Sequence, residues 1–379
     1  MTSMLHLRLF TGLVTTLTLV TTLLIAGILA LSPTPHNDGV VLAYTDGRRF
    51  DFDLYLHDTA SGYSLNITRD GVMDMVQPMP VTWFPDGKRF AYLARDGGMS
   101  SVRIRDVSSG ATHISESEHT GLRDVFVTAD GNAVFYTTQT DTGAPLVMQY
   151  HLANRTLNPT HISSSYYLSP DGRHTVKGQT LNTEGHFTIT IQATDNTEGI
   201  IYRSIEDNML RAAACVRNAG LPHDVVWQRD SQRVLISSGQ HLYWLSAVDH
   251  AITPLDDQRL ADAIAKTSTW SRLGGPCISG LSLDPSERYL VTRIGNRDIY
   301  VFDLHDESAP PTVLTDTISR RGSSVWAIDW LPGRTALLAV INNGGNCEYV
   351  TIDPTRNTIE RLPNFECDFS IAISVHVPG

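Results

Sequence analysis

Hydrophobic positions along this chain gather into short runs of strand length, rich in β-branched and aromatic residues and cut by turn residues. Arg89-Phe90-Ala91-Tyr92-Leu93 and Arg233-Val234-Leu235-Ile236 are two such runs, and each follows a turn. The turn recurs as Trp83-Phe84-Pro85-Asp86-Gly87, Val127-Thr128-Ala129-Asp130-Gly131 and Leu168-Ser169-Pro170-Asp171-Gly172. Degenerate copies stand at Trp227-Gln228-Arg229-Asp230-Ser231, Leu283-Asp284-Pro285-Ser286-Glu287 and Trp330-Leu331-Pro332-Gly333. The turn positions 86, 130, 171, 230, 286 and 333 are separated by 44, 41, 59, 56 and 47 residues. Pro presets φ for such a turn, Asp bonds back to nearby amides, and Gly accepts positive φ.

Two further strands follow each hairpin. Asp53–Asp58 and Asp298–Leu304 are clear third strands; Tyr63–Thr68 and Thr312–Thr315 are shorter fourth ones. Four short strands per repeat of this length predict a β-propeller blade. Asn37-Asp38-Gly39 is a turn without a strand before it, 48 residues ahead of Asp86, and Phe369–Val377 is one strand without a turn after it. The expected fold is therefore all-β, a seven-bladed propeller closed by exchange of its N-terminal and C-terminal strands. Trp83, Trp227 and Trp330 precede their turns by the same spacing, which favours packing between blades over ligand stacking.

Ser169-Pro170-Asp171-Gly172-Arg173 and the Asp298-Ile299-Tyr300-Val301-Phe302-Asp303-Leu304 strand resemble the repeats of TolB-like propellers. The resemblance covers about residues 38–379. It implies a fold rather than an activity, since transport accessories and peptidase propeller domains share the pattern.

The N-terminal region differs. Leu9–Leu31 carries no charge over 23 residues, enough for a helix to cross a ~30 Å hydrocarbon core. Arg8 precedes it, and the next basic residue is Arg48. The positive-inside rule then places residues 1–8 in the cytoplasm, 9–31 as a transmembrane signal-anchor, 32–39 as a linker and the propeller, 40–379, on the extracytoplasmic side. A cleaved signal peptide is the alternative; its best site, Ala30-Leu31-Ser32, is followed by Pro33. Two long connections predict helical insertions near 204–220 and 257–266, both in loops between blades and forming a raised edge on one face.

The four cysteines fall on that inserted face. An oxidising compartment favours the pairs Cys215–Cys277 and Cys347–Cys367, with buried free thiols as the alternative. No Cys-x₂₋₄-Cys pair exists to suggest zinc.

Chemistry is sparse. The formal net charge of −11 disfavours nucleic acid as partner. There is no G-x-S-x-G, H-E-x-x-H, Walker loop or dinucleotide fingerprint. Asp46, Arg48, Arg49, Asp51 and Asp53 form one charged loop that could hold Ca²⁺ or an arginine-bearing partner, although solvated loop charge explains it as well. The expected role is a membrane-tethered, non-catalytic module binding a protein or envelope ligand. A structural subunit of an envelope assembly, or a hydrolase or lyase working at the central tunnel, are the alternatives.

Overall fold

A computed structural model describes residues 41–46, 53–58, 63–67, 81–96, 99–107, 109, 112–114, 122–162, 167–180, 187–195, 199–202, 225–238, 240–255, 257–268, 278–294, 298–314, 323–331, 335–343, 346–356, 358–361 and 373–376. Nearly all of them lie in antiparallel sheets or the turns between strands. The first sheet uses β1 (Val41–Asp46), β2 (Asp53–Asp58) and β3 (Tyr63–Asn66). The second uses β4 (Val81–Trp83), β5 (Arg89–Asp96), β6 (Met99–Asp106) and β7 (Thr112–Ile114). The third comprises β8 (Arg123–Val127), β9 (Ala133–Gln139), β10 (Pro145–His151) and β11 (Thr156–Pro159). The fourth has β12 (His174–Thr180), β13 (Phe187–Ala193) and β14 (Gly199–Tyr202). The fifth has β15 (Val225–Trp227), β16 (Arg233–Ser238), β17 (His241–Ser246) and β18 (Ile252–Pro254). Helix α1 (Gln258–Ser268) leads to the sixth, β19 (Ile278–Leu283), β20 (Tyr289–Ile294), β21 (Asp298–Asp303) and β22 (Thr312–Val313). The seventh has β23 (Ser323–Trp330), β24 (Leu337–Asn343), β25 (Asn346–Asp353) and β26 (Thr358–Arg361); β27 (Ile373–His376) follows.

This arrangement corrects the expectation of seven blades. Among the described residues, five sheets are complete blades of four consecutive strands: β4–β7, β8–β11, β15–β18, β19–β22 and β23–β26. The fourth sheet has three strands, and its hairpin partner to β12 is reduced to a single bridge, Leu168 to Thr175. The first sheet is composite, ordered β27-β1-β2-β3, with Tyr44 opposite Ile373 and Val41 opposite His376.

The expected N-terminal transmembrane helix is corrected too. No helix among the described residues is long and apolar enough to cross a membrane, and α1 has eleven residues. Residues 9–31 lie outside the described residues, as does the insertion expected near 204–220.

Neighbouring sheets pack through one apolar cluster each. Central strands are buried on both faces, so successive residues serve different interfaces. Ala133 and Phe135 of β9 pack toward Leu168 of the fourth sheet, whereas Val134 and Tyr136 meet Phe84 and Leu93 of the second. Likewise Val234 and Ile236 pack with Val176 and Ile191, while Leu235 joins Leu290 and Phe302 of the sixth sheet. Leu54 and Leu56 pack on Val81, Phe90 and Tyr92, and Trp330 packs with Val291 and Val301. The tryptophans behave as the spacing predicts. Trp227 donates its indole N–H to the Tyr167 carbonyl at 2.9 Å and Trp330 to that of Ser282 at 3.3 Å, each reaching the preceding sheet.

Helix α1 forms within two residues of the predicted span. Asp257 caps it, its Oδ1 accepting the amide of Arg259 at 2.9 Å. Leu260, Ala263 and Ile264 then bury one stripe between the fifth and sixth sheets, against Leu242, Tyr300 and Phe302. The helix runs along β21, with Arg259 at the Asp303 end and the Thr267 hydroxyl 3.4 Å from Asp298 Oδ2. It is therefore a wedge filling a groove; the raised edge expected of the two insertions together includes 204–220, which lies outside the described residues.

Candidate binding face

The charged loop singled out from the sequence is only partly within the described residues. Backbone register sets Asp46, the last residue of β1, opposite Asp53, the first of β2. Arg48, Arg49 and Asp51 lie outside the described residues, so the structure brings together two of the five. Among the described residues no three or more His, Cys, Asp or Glu side chains group to hold a metal ion. The Ca²⁺ expectation rests on the undescribed part of that loop. Cys215, Cys277 and Cys367 also lie outside the described residues, and Cys347 is placed only by its backbone in β25. No disulfide joins described residues, so neither expected pairing is carried further.

The best-defined polar surface is elsewhere, where the turns between the first and second strands of five successive sheets touch. Each turn has one residue in the left-handed region: Gly87, Gly131 and Gly172 with φ of 62°, 69° and 72°, then Ser231 at 61° and Glu287 at 60°. That residue faces the preceding turn. A Cβ on Gly131 would meet Pro85 Cδ at 3.3 Å, and one on Gly172 would lie 2.8 Å from Thr128 Cγ2. Where the position carries a side chain, it bonds across. Ser231 Oγ accepts the Asp171 amide at 3.0 Å, and Glu287 accepts the Arg229 amide at 2.6 Å and Gln228 Nε2 at 3.0 Å. In return Arg229 Nη1 donates to the Pro285 carbonyl at 2.9 Å. Between the third and fourth sheets the bond is main chain only, Ala129 N–H to Pro170 O at 2.6 Å.

These contacts account for the turn amides. Pro85 has no N–H and the turn after it is Gly131; Ala129 and Arg229 have one, and each finds an acceptor in the next sheet. The turn carboxylates are spent locally. Asp86 Oδ1 accepts the Lys88 and Arg89 amides, and its Oδ2 pairs with Arg89 at 2.7 Å. Burial alone would raise its pKa, but those hydrogen bonds and the Arg89 charge hold it below the usual carboxylate value. Asp130 is likewise lowered, first by the Thr128 hydroxyl at 2.6 Å and then by Asn132. Asp171 accepts from the Ser169 hydroxyl and the Arg173 amide.

Beside these carboxylates, which remain exposed themselves, cationic heads stand at the surface. Arg173 is 81% exposed, and Lys88, Arg229, Arg233 and Arg288 are exposed as well. Two of them rest on aromatic rings: Arg233 over Trp244 at 5.5 Å and Arg288 over Tyr289 at 5.2 Å. The result is a row of exposed polar and arginine side chains on a backbone ordered by inter-sheet bonds. Such a row suits recognition of another macromolecular surface, because the backbone beneath it has little ordering entropy left to lose on binding. Sequence reasoning identified the turns but not this linkage; Ser231 and Glu287 in the glycine position were its visible signal.

No family model matches the chain. One stretch of 81 residues is 31% identical to the Tol-Pal system protein TolB of Wigglesworthia glossinidia brevipalpis, covering 21% of this chain and 18% of that protein. The match thus spans about a fifth of the relative's length. Among solved structures, the β-propeller domain of the Trilobed protease from Pyrococcus furiosus superposes with a TM-score of 0.54 at 10% identity, over 88% of this chain and 97% of that one. TolB from Acinetobacter baumannii gives 0.47 at 13% identity, over 91% of this chain and 67% of that one. The protease domain bears on the fold alone. Together the comparisons show a β-propeller in which one 81-residue stretch is similar in sequence to TolB.

Proposed function

We propose that this propeller is a non-catalytic module that binds a protein partner outside the cytoplasmic membrane, through the face formed by its linked turns. The observation that carries the reading is the row of inter-sheet hydrogen bonds from Ala129–Pro170 to Arg229–Glu287, which orders the turns that present exposed arginines. Support for the envelope comes from the uncharged Leu9–Leu31 run, which has the composition of an export signal, and from the Tol-Pal assignment of the relative.

Site-specific photo-crosslinking in intact cells tests it. A benzophenone side chain at Asn132, Arg173 or Gln232 should give one discrete protein adduct; the same probe at Gln258 or Asp262 on α1 should not. Absence of any adduct from the turn positions, or an adduct from α1 alone, overturns the reading. A C-terminal alkaline phosphatase fusion checks the compartment: it should be active, and an inactive fusion present at full length rejects export.

A further inference from the structure

Two arginines stand on one face of β6. Register sets Arg103 opposite Tyr92 and Arg105 opposite Phe90 of β5, and both rings pack toward the first sheet with Leu54, Leu56 and Ile67. Val102 and Ile104, which alternate with the arginines, face the third sheet instead. Alternation therefore turns both guanidinium stems into the seam between the first and second sheets, roughly 7 Å apart along the strand. Arg105 shows the direction, since its Nη1 donates to the Ile67 carbonyl at 3.4 Å. Both side chains are half-buried. Neither charge is neutralised among the described residues. Arg103 Nε is buried without an acceptor, and no carboxylate there forms an ion pair with either arginine. The carboxylate that alternation sets on the facing side of β2 is Asp58, four residues beyond Leu54. Arg105 is held at the Leu54 end, where the Ile67 amide meets the Leu54 carbonyl at 2.7 Å. By contrast Arg259, in the seam between the fifth and sixth sheets, has Asp257 at 2.6 Å.

We propose that Arg103 and Arg105 form an anion site in this seam, one that takes a phosphate group, either the free ion or a phosphomonoester. The site is separate from the linked turns and does not rest on their role. A partly desolvated guanidinium with an unpaired Nε–H is costly, and an oxyanion supplies the missing acceptor and counter-charge together. Two neighbouring cations match the charge of a phosphate, about −1.5 to −2 near neutral pH, better than that of one carboxylate. Guanidinium groups also donate to phosphate oxygens in pairs, so each arginine can engage the ion through more than one N–H. Only the three-residue β7 lies outside β6 in its sheet, so the ion would enter from the rim of the propeller.

Calorimetric titration of the full chain with sodium phosphate, against sodium chloride of equal ionic strength, tests the site. Saturable binding of one ion is expected. Arg103→Gln and Arg105→Gln should each weaken it by about tenfold or more. Arg356→Gln, which removes an exposed cation of the seventh sheet, should leave it unchanged. Glycerol 3-phosphate separates the two sources: binding equal to that of phosphate marks a site for monoesters, and loss of binding marks a site for the free ion. Hydrogen exchange in the wild type locates the ion without any variant. With phosphate present, peptides covering 63–67 and 99–106 should gain protection, while 133–151 in the third sheet stays unchanged. The proposal is overturned by the absence of saturable binding beyond chloride, by full binding in both glutamine variants, or by glutarate, a dicarboxylate, binding as tightly as phosphate. Should the glutamine variants fail to fold, the exchange pattern decides: protection gained elsewhere or nowhere rejects the site.

Discussion

Glu287 holds a φ of 60°, a conformation that disfavours any side chain, and its Oε1 takes the backbone amide of Arg229 from the neighbouring sheet at 2.6 Å. The left-handed backbone costs roughly 1–2 kcal/mol for a residue with a Cβ. The two hydrogen bonds that the carboxylate receives offset it, since an amide left without its acceptor costs about 1–3 kcal/mol.

Substitutions at this position separate the two effects. Glu287→Ala keeps the backbone strain and loses both hydrogen bonds, and should destabilise by about 2 kcal/mol. Glu287→Gly also loses the bonds but relieves the strain, so urea unfolding should rank wild type first, Glu287→Gly second and Glu287→Ala last. An alanine variant as stable as the glycine one would show that the strain contributes nothing.

Two glycines of equal backbone conformation make a second contrast. Gly172 and Gly143 have φ of 72° and 80°, yet a Cβ at Gly172 would lie 2.6 Å from Phe135 Cε2, whereas at Gly143 nothing stands within 4 Å. Gly143→Ala should cost about 1 kcal/mol for conformation alone. Gly172→Ala should cost roughly 2–4 kcal/mol, because Phe135 is fully buried and has little room to move. Denaturant midpoints with unchanged slopes would establish the difference.

Arg259 is the pin of α1. Its guanidinium pairs with Asp257 at 2.6 Å and donates to the carbonyls of Asp303, Asp306 and Ala309, joining the helix start to the turn between β21 and β22. Its side chain is only 11% exposed. Arg259→Ala should cost about 3 kcal/mol, as the nearly buried Asp257 would then lack its counter-charge. Arg259→Lys should recover little, because an ammonium cannot span the same four acceptors. Faster hydrogen exchange across 303–309 in both variants is the accompanying signature.

The same pair sets an acid limit. Burial acts to raise the Asp257 pKa, but hydrogen bonds and charge from Arg259, with the amides of Arg259 and Leu260, bring it below its ordinary value. A depressed carboxylate stabilises the fold above its unfolded pKa of about 3.9, and that contribution is lost as pH falls through the folded value. Unfolding midpoints should therefore be flat from pH 7 to about 5 and drop below about 4. In Asp257→Asn the drop should be shallower from a lower plateau; an identical profile would exclude Asp257 from the acid transition.

Much of the architecture could be read from local chemistry. Pro85, Asp86 and Gly87 announce a hairpin by their backbone preferences alone, and Leu260, Ala261 and Ile264 announce a helix by spacing, although Ala263 rather than the exposed Ala261 joins the buried stripe. The failures are nonlocal. Asp124 and Gly280 each stand seven residues before a turn's left-handed residue, at or beside a register shift, but their sequences have nothing in common. Leu168-Ser169-Pro170-Asp171-Gly172 is the best copy of the turn in the chain, yet among the described residues its sheet has three strands and one bridge, so the turn alone does not foretell the pairing around it. Spacing placed α1 along the sequence, but the groove it fills, made by Leu242 and Tyr300 from different sheets, has no local signal. The linked turns escaped notice because each bond joins residues some 40–60 positions apart, such as Asp171 and Ser231.

The accounting of turn amides has an evolutionary corollary. The residue after the first strand of one repeat and the left-handed residue of the next repeat form a lock and its key: Pro85 admits Gly131, Arg229 requires Glu287. A single unit transplanted to another position would arrive with one half of each mismatched. Duplication and divergence of this chain are therefore constrained to proceed by adjacent couples, and correlated substitution between successive repeats should mark its history.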